Sequence, residues 1–546
     1  MLRHKRLEVI LMTLAAIVFG GGSIVQAQNT TIAGVVRSAS GEPVAGAFVK
    51  VRSAGSGPSF MVVSQAQGLY ETPNLLPGRY SVQAIGGDRQ SNPSATVDVP
   101  RGQRATKDLA LSEARKMPPP RVKLLEADFE KQLPEGDGKK LPTGCCVLCH
   151  GVDRVVVSRY GREQWEKIVD NMRSYMQEHK VPLSDPEKSV MLDYLTANYG
   201  PNSSQRSGSG GAAEPGPHDN LPATLVSGPE GKYVAMEFNL AKSAGPHDIT
   251  VDSQGIAWVS ERVGIIGRFD PETLAYSRIP VPAGKNKESG LNAIAADPKD
   301  VLWAMENGPN NRLIQYNTKN GQFKTYEVPA PPNSGGSAIN TLRFQDATVW
   351  GSGITSSRII KLDTASSKVS EYPVPKGTHP YGLAIGGDKM IWYVANYGDE
   401  IVRLDTSTGK LTHYKVPPTL PRGPAGSDIR RMQADHEGNL WAGESATSKL
   451  LKIEYRTGQM TQYVTPTPES GPYSIDVDPR QNIIWFSEQL ADKIARFDPQ
   501  TGKFQEFPVP GANADIRRIE IDRRNPNRIW WSGSGADRIG YIEVFE

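Results

Sequence analysis

Ile484-Trp-Phe-Ser-Glu488 and, five residues on, Lys493-Ile-Ala-Arg-Phe-Asp498 form a phrase that recurs along the second half of this chain. An apolar strand runs into tryptophan, often with glutamate three residues later. An apolar-x-Arg/Lys-apolar-Asp strand follows, then Tyr or Phe with Val-Pro. The marker tryptophans are Trp258, Trp303, Trp350, Trp392, Trp441, Trp485 and Trp530, spaced by 42 to 49 residues. That period is the length of a four-stranded propeller blade, so seven markers predict seven blades over 231–546. The chain ends at Ile539-Gly-Tyr-Ile-Glu-Val-Phe545 without the Tyr-x-Val-Pro strand the other repeats carry. Tyr233-Val-Ala-Met-Glu-Phe-Asn-Leu240, just before the first repeat, supplies that strand and is expected to close the last blade, because an open edge invites pairing with other chains.

Working outward, 546 residues are too many for one core. A 38% hydrophobic share with 54 glycines and 42 prolines favours turn-rich β architecture, so the fold class expected is multidomain and mainly β. Net charge is only +3 and the basic residues are scattered, which excludes nucleic acid or an anionic membrane surface as the expected partner. Residues 1–27 read as a signal peptide. Arg3, His4, Lys5 and Arg6 precede the apolar run Val9–Phe19, and Val25-Gln-Ala27 is a small-x-small cleavage site. A periplasmic or secreted protein with no membrane span after cleavage is expected, since no later apolar run approaches spanning length.

Residues 28–112 alternate short strands with Gly and Pro turns: Thr31–Arg37, Gly41–Val51, Gly68-Leu-Tyr70 and Leu75–Val82. These phrases resemble the carboxypeptidase regulatory-like family. The resemblance implies a transthyretin-like β-sandwich of carbohydrate-binding-like fold. No aromatic platform for a sugar is visible, so a spacer role is expected.

After Met117-Pro-Pro-Pro120, residues 113–200 contain all three cysteines within five positions, in Cys145-Cys146-Val-Leu-Cys149-His150. C-x-x-C-H suits covalent haem: Cys146 and Cys149 would bond the vinyl groups and His150 would be the proximal iron ligand. One haem c is the cofactor expected, and Cys145 is a spare thiol. Trp165, Ile168, Val169, Met172 and Met176 share one face of a predicted helix, and a second helix starts near Ser184-Asp-Pro-Glu187. The order matches a small all-α cytochrome c-like domain. Trp165-Glu-Lys-Ile-Val-Asp-Asn-Met172 resembles haem domains related to the quinohaemoprotein amine dehydrogenase α subunit, which implies Met172 as distal ligand. Met176 suits the ending of generic small cytochromes, and His179 and Met191 also follow the motif. Residues 201–230, rich in Ser, Gly and Pro, form a flexible linker.

Gly471-Pro-Tyr-Ser-Ile475, Ile484–Glu488 and Lys493–Asp498 resemble the virginiamycin B lyase family, streptogramin-opening enzymes. The resemblance implies a histidine two places before the inner-strand isoleucine in each of the last two blades, with nearby glutamates serving magnesium and acid–base work. Here the histidine positions hold Tyr473 and Arg517, the acid before the second is Asp515, and the last glutamate position holds Ser534. The general base of that chemistry is therefore absent from its place; a divalent metal is left open. The same column across the blades reads His247, Asn292, Asn340, Tyr381, Arg430, Tyr473 and Arg517. These polar residues among apolar strands are expected to ring one mouth of the axial channel and to suit a polar or anionic small molecule. Glu261, Glu306, Glu444 and Glu488, three residues after marker tryptophans, are expected to bond within blades.

The leading functional reading is an exported haem protein that transfers electrons to or from a redox partner protein, as an oxidoreductase component, with the propeller as binding module. The alternatives are a streptogramin lyase-like C–O lyase with an appended haem domain and a non-enzymatic haem-bearing scaffold.

Overall fold

The computed structural model describes residues 30–545 except 94–95, 116–132, 142–154, 156–160, 179–181, 201–220, 285–289, 308–309, 330–338, 355, 377, 397–398, 418–426 and 536. It is mainly β, with an N-terminal β domain and a C-terminal propeller. Six four-stranded antiparallel sheets follow one another from Pro246 to Pro508, each from consecutive strands. The seventh blade combines Ile516–Ile521, Arg528–Gly533 and Arg538–Val544 with the early strand Tyr233–Asn239. Ala235 lies opposite Ile542 in that last ladder.

The repeating phrase has a packing cause. In blades I, III, V and VI the Arg or Lys of the third strand lies directly opposite the marker tryptophan, as in Trp258 with Arg268 and Trp441 with Lys452. Its charge sits 5.4 to 5.9 Å from the indole ring, within cation–π range. The outer-strand tyrosine stacks on the indole in blades II, IV and V (Trp303–Tyr326, Trp392–Tyr414, Trp441–Tyr463). Indole Nε1 donates to an upstream aspartate in five blades, for example Trp441 to Asp435 at 2.9 Å. Trp350 and Trp485 have no such acceptor among the described residues. Glu261, Glu306 and Glu444 bond within their own blades, to Arg278, Arg312 and Gln462 respectively.

The N-terminal β domain is joined to the propeller by strand pairing. Its edge strand Ser59–Val63 pairs antiparallel with Tyr233–Asn239, Val62 opposite Val234 and Phe60 opposite Met236. Sandwich and last blade thereby share one ten-stranded sheet. Phe48, Met61 and Val63 are buried in the same cluster as Tyr233, Ala235, Ile542 and Val544. The strand that closes the propeller thus has ladder partners on both sides, and its edge is covered. A cleft of about 630 Å³ opens at this junction, lined in part by Tyr70, Glu71, Arg104, Lys232 and Phe545.

Between the two β regions the described residues contain two α-helices longer than a turn, α1 (Arg162–Glu178) and α2 (Asp185–Tyr199). Helix α2 starts with a capping box: Ser184 Oγ accepts from Glu187 N–H at 3.4 Å, and Glu187 Oε2 accepts from Ser184 N–H at 2.8 Å. Trp165 and Val169 pack with Met191, Leu192, Leu195 and Tyr199, and Met172 is half-buried against this cluster. The expected small all-α cytochrome domain is not what these residues show. Two helices bury their apolar faces on each other, with Met191 inside that cluster and Met172 at its edge. Cys146, Cys149, His150 and His179 lie outside the described residues, as does the Met176 side chain. No helix among the described residues is long and apolar enough to cross a membrane.

Candidate active site at the propeller mouth

Every inner strand has a register shift at the same place, between Pro246 and Ile249 in blade I and between Pro472 and Ile475 in blade VI, for instance. In five blades two residues oppose one, as His247 and Asp248 oppose Ser260. Such a bulge releases the extra residue from the ladder and re-aims its side chain. The polar column from His247 to Arg517 lies on these bulges. The bulges therefore explain how polar residues occupy strands whose neighbouring positions are apolar.

Next to the bulges, serines two residues after the marker tryptophans tie blade to blade. Ser352 Oγ donates to the Tyr381 carbonyl at 2.5 Å, Ser260 Oγ to the Asn292 carbonyl at 2.5 Å, and Ser532 Oγ to the His247 carbonyl at 2.8 Å. Gly382 lets the blade IV strand approach blade V: a Cβ there would stand 2.4 Å from the Arg430 carbonyl oxygen. Three members of the column are brought together by these contacts. The Tyr381 and Tyr473 hydroxyls hydrogen-bond each other, with their rings edge to face at 6.1 Å. Arg430 lies over both, its Cζ 5.0 Å from the Tyr381 ring and 5.5 Å from the Tyr473 ring. Asp428 holds Arg430 through Nη2 at 2.5 Å.

Arg517 reaches Asp515 through Nε and Nη2, both at 2.8 Å. Asp515 also accepts from Gln489 and from Ser534 Oγ. The remaining members stand apart. His247 Nδ1 bonds Asp248 at 2.8 Å, Asn292 lies against the Ile339 carbonyl, and Asn340 is buried.

Arginines that the sequence reading did not single out lie one layer deeper. Arg431 spans from blade V to Asp248 Oδ1 at 2.5 Å and to the Asn340 carbonyl at 3.2 Å. Arg343 crosses to the Met432 carbonyl at 2.8 Å, and Arg518 pairs with Glu520 at 2.8 Å. A period-two count could have found Arg431 and Arg518, which directly follow column residues. It could not have shown that Arg431 extends across the axis.

Burial pushes the Tyr381 phenol up. Arg430, Arg431, the Tyr473 hydroxyl and Arg517 together outweigh burial and hold Tyr381 below its ordinary value. Burial and the charge on Tyr381 push Tyr473 up. The two phenols are thus set apart, one to ionise first and the other to stay protonated. Burial would lower Arg430 and Arg517, but Asp428 and Asp515 more than compensate, so both guanidiniums stay charged.

Burial lowers His247 to about 4, with Asp248 only partly opposing it. Neutral His247 thus makes folding pH-dependent. Its contribution is fully present above the unfolded value near 6.5 and is lost as pH falls from there towards 4, a change on the order of 3 kcal/mol. The urea midpoint should drop between pH 7 and 4.5, and His247→Gln should flatten that drop. An unchanged profile in the variant would sink this assignment.

The family resemblance raises a divalent metal at Asp515 and Ser534, and these residues do not fit one. The Asp515 carboxylate already carries the Arg517 guanidinium, whose fixed charge would oppose a cation. Among the described residues no three His, Cys, Asp or Glu side chains gather into a group that could hold a metal ion.

Comparison with known proteins gives two family matches: the virginiamycin B lyase family over residues 274–545, and the carboxypeptidase regulatory-like domain over residues 31–112. Among solved structures, virginiamycin B lyase from Staphylococcus aureus is 25% identical, covering 57% of this chain and all of that one with a TM-score of 0.50. A streptogramin B lyase structure is likewise 25% identical over 58% of this chain and all of that one, TM-score 0.51. A catalytically inactive variant of the S. aureus enzyme, crystallised with quinupristin, matches at 25% identity over 57% of this chain and all of that one, TM-score 0.50. No curated protein matches the chain.

These findings overturn the electron-transfer reading. The likeness is to a lyase propeller and a regulatory-like β domain, and the described residues between them show two helices and no haem fold. The redox partner and the oxidoreductase role fall with it. The chain carries a virginiamycin B lyase-like β-propeller joined to a carboxypeptidase regulatory-like N-terminal domain.

Proposed function

We propose that the propeller mouth is a carbon–oxygen lyase site in which the Tyr381–Tyr473 pair stands in for histidine as proton acceptor. The observation behind this reading is the buried, hydrogen-bonded phenol pair under Arg430, in the column where the lyase family keeps its histidines. An ionised Tyr381 takes a proton from a carbon beside a carbonyl or carboxyl group. The electron pair left behind forms a double bond to the neighbouring carbon, and the carbon–oxygen bond there breaks. Arg430 and Arg517 face the negative charge that builds on the carbonyl or carboxyl group as the proton leaves. The signal-peptide reading of residues 1–27 supports a site of action outside the cytoplasm.

The test is a panel of activated esters and glycosides, quinupristin among them, followed by product mass and by ultraviolet absorbance of the new conjugated double bond. Cleavage with no gain of water supports the lyase. Cleavage with one water added, or no cleavage anywhere in the panel, ends the reading. The pH profile gives a second check. Activity should rise through one ionisation below the ordinary phenol value near 10, with no limb near 6.5, because His247 stays neutral. A limb near 6.5 would assign the base to a histidine instead.

A further inference from the structure

Resting on the lyase reading, we infer that the substrate class is a uronate glycoside, an acidic sugar whose carboxylate sits on the carbon that loses its proton. The inference stands on Arg430 and Arg517. An ester or amide carbonyl acidifies the neighbouring C–H by itself and needs no full positive charge beside it. An ionised carboxylate does the reverse, because losing the proton would put a second negative charge on the same group. Elimination next to a carboxylate therefore needs fixed cations to neutralise it. This mouth has two, each anchored by its own acid and each staying charged. The position of the second family histidine holds one of them, so a base has been exchanged for a carboxylate grip.

A second observation concerns the pairing of Arg430. Arg430 is 7% exposed, yet its Nε has no hydrogen-bond partner among the described residues. A buried guanidinium N–H left unpaired is unfavourable, and a bound carboxylate would remove that cost.

The atoms balance within the phenol pair. Tyr381 oxygen takes the proton from C5, beside the carboxylate, and the C4–C5 double bond forms as the C4–O4 bond breaks. Tyr473 gives its proton to the leaving sugar oxygen. Tyr381 is then protonated and Tyr473 ionised, and transfer of one proton along their hydrogen bond restores the start. No oxidant, metal or water is consumed.

The experiment compares polygalacturonate, alginate and methyl-esterified polygalacturonate as substrates of the full chain, read by absorbance of the unsaturated uronate. A free-acid polymer should be cleaved roughly tenfold or more faster than the methyl ester, as expected if a charged contact is lost. Arg430→Gln, and Arg430→Lys as a milder variant, should raise KM for the acid polymer by roughly tenfold or more. Calorimetric binding of galacturonate should weaken in parallel. Near-ultraviolet circular dichroism checks that the variants fold. If the methyl ester is cleaved as fast as the acid, or only an uncharged ester of the wider panel is cleaved, the uronate class fails while the lyase stands. If neither acidic nor neutral substrates react, both fail.

Discussion

Tyr381→Phe is expected to lower kcat by about 10² to 10⁴, the usual contribution of a positioned general base, with KM changed little. Phenylalanine keeps a ring for Arg430 to lie over and deletes only the oxygen that takes the proton. Tyr473→Phe should behave differently. It removes the hydroxyl that helps hold Tyr381 low, so the pH at which activity rises should move upward, along with a loss of turnover. Steady-state kinetics over pH on any substrate of the panel separates the two. A Tyr381→Phe variant retaining most of its kcat would remove the phenol from the chemistry. A Tyr473→Phe variant with an unshifted profile would show that the hydroxyl contact does not tune its neighbour.

Trp441→Ala should cost about 3–5 kcal/mol, the range for emptying a large aromatic from a core. Trp441 is fully buried, stacks on Tyr463 at 5.6 Å, touches Phe497 at 5.8 Å and donates to Asp435. The repeated design allows a sharper comparison. Trp441→Phe loses the Asp435 bond as well as volume, whereas Trp485→Phe loses volume alone, because the Trp485 Nε1 has no acceptor among the described residues. The blade V variant should be the less stable by about 1 kcal/mol, or more if the carboxylate is left short of partners. Thermal melts of the full chain provide the measurement. Equal losses in the two blades would show that the indole–aspartate bond contributes nothing net.

The propeller could be read from residues because each blade repeats a self-contained set of local contacts. Trp441, Lys452 and Tyr463 meet across adjacent strands of one sheet, so their spacing survives as a pattern. The Ser184–Glu187 cap is legible for the same reason, since both partners lie within one turn. The Cys146-Val-Leu-Cys149-His150 motif lies outside the described residues. It is a local signal, and the function read from it gave way to a fold likeness distributed over the propeller.

The candidate site shows where local reasoning stops. The polar column was visible as a list of seven residues, and so was the loss of both histidines. Which members meet was not visible. Tyr381 and Tyr473 are 92 positions apart in different blades, and the bulges that aim them are set by ladder register rather than by residue type. The pairing of Ser59–Val63 with Tyr233–Asn239 likewise joins strands some 170 residues apart with no mark on either.

The sequence by itself determined the mainly β class, the blade count, the strand that closes the ring and the absence of histidine from its family positions. Those depend on short-range periodicity and residue identity. Tertiary structure alone decided that the N-terminal sheet continues into the last blade, that Arg431 and Arg343 extend across the axis, and that two phenols share a hydrogen bond under Arg430. Each of those depends on distances between distant segments, and closing the ring is what sets them.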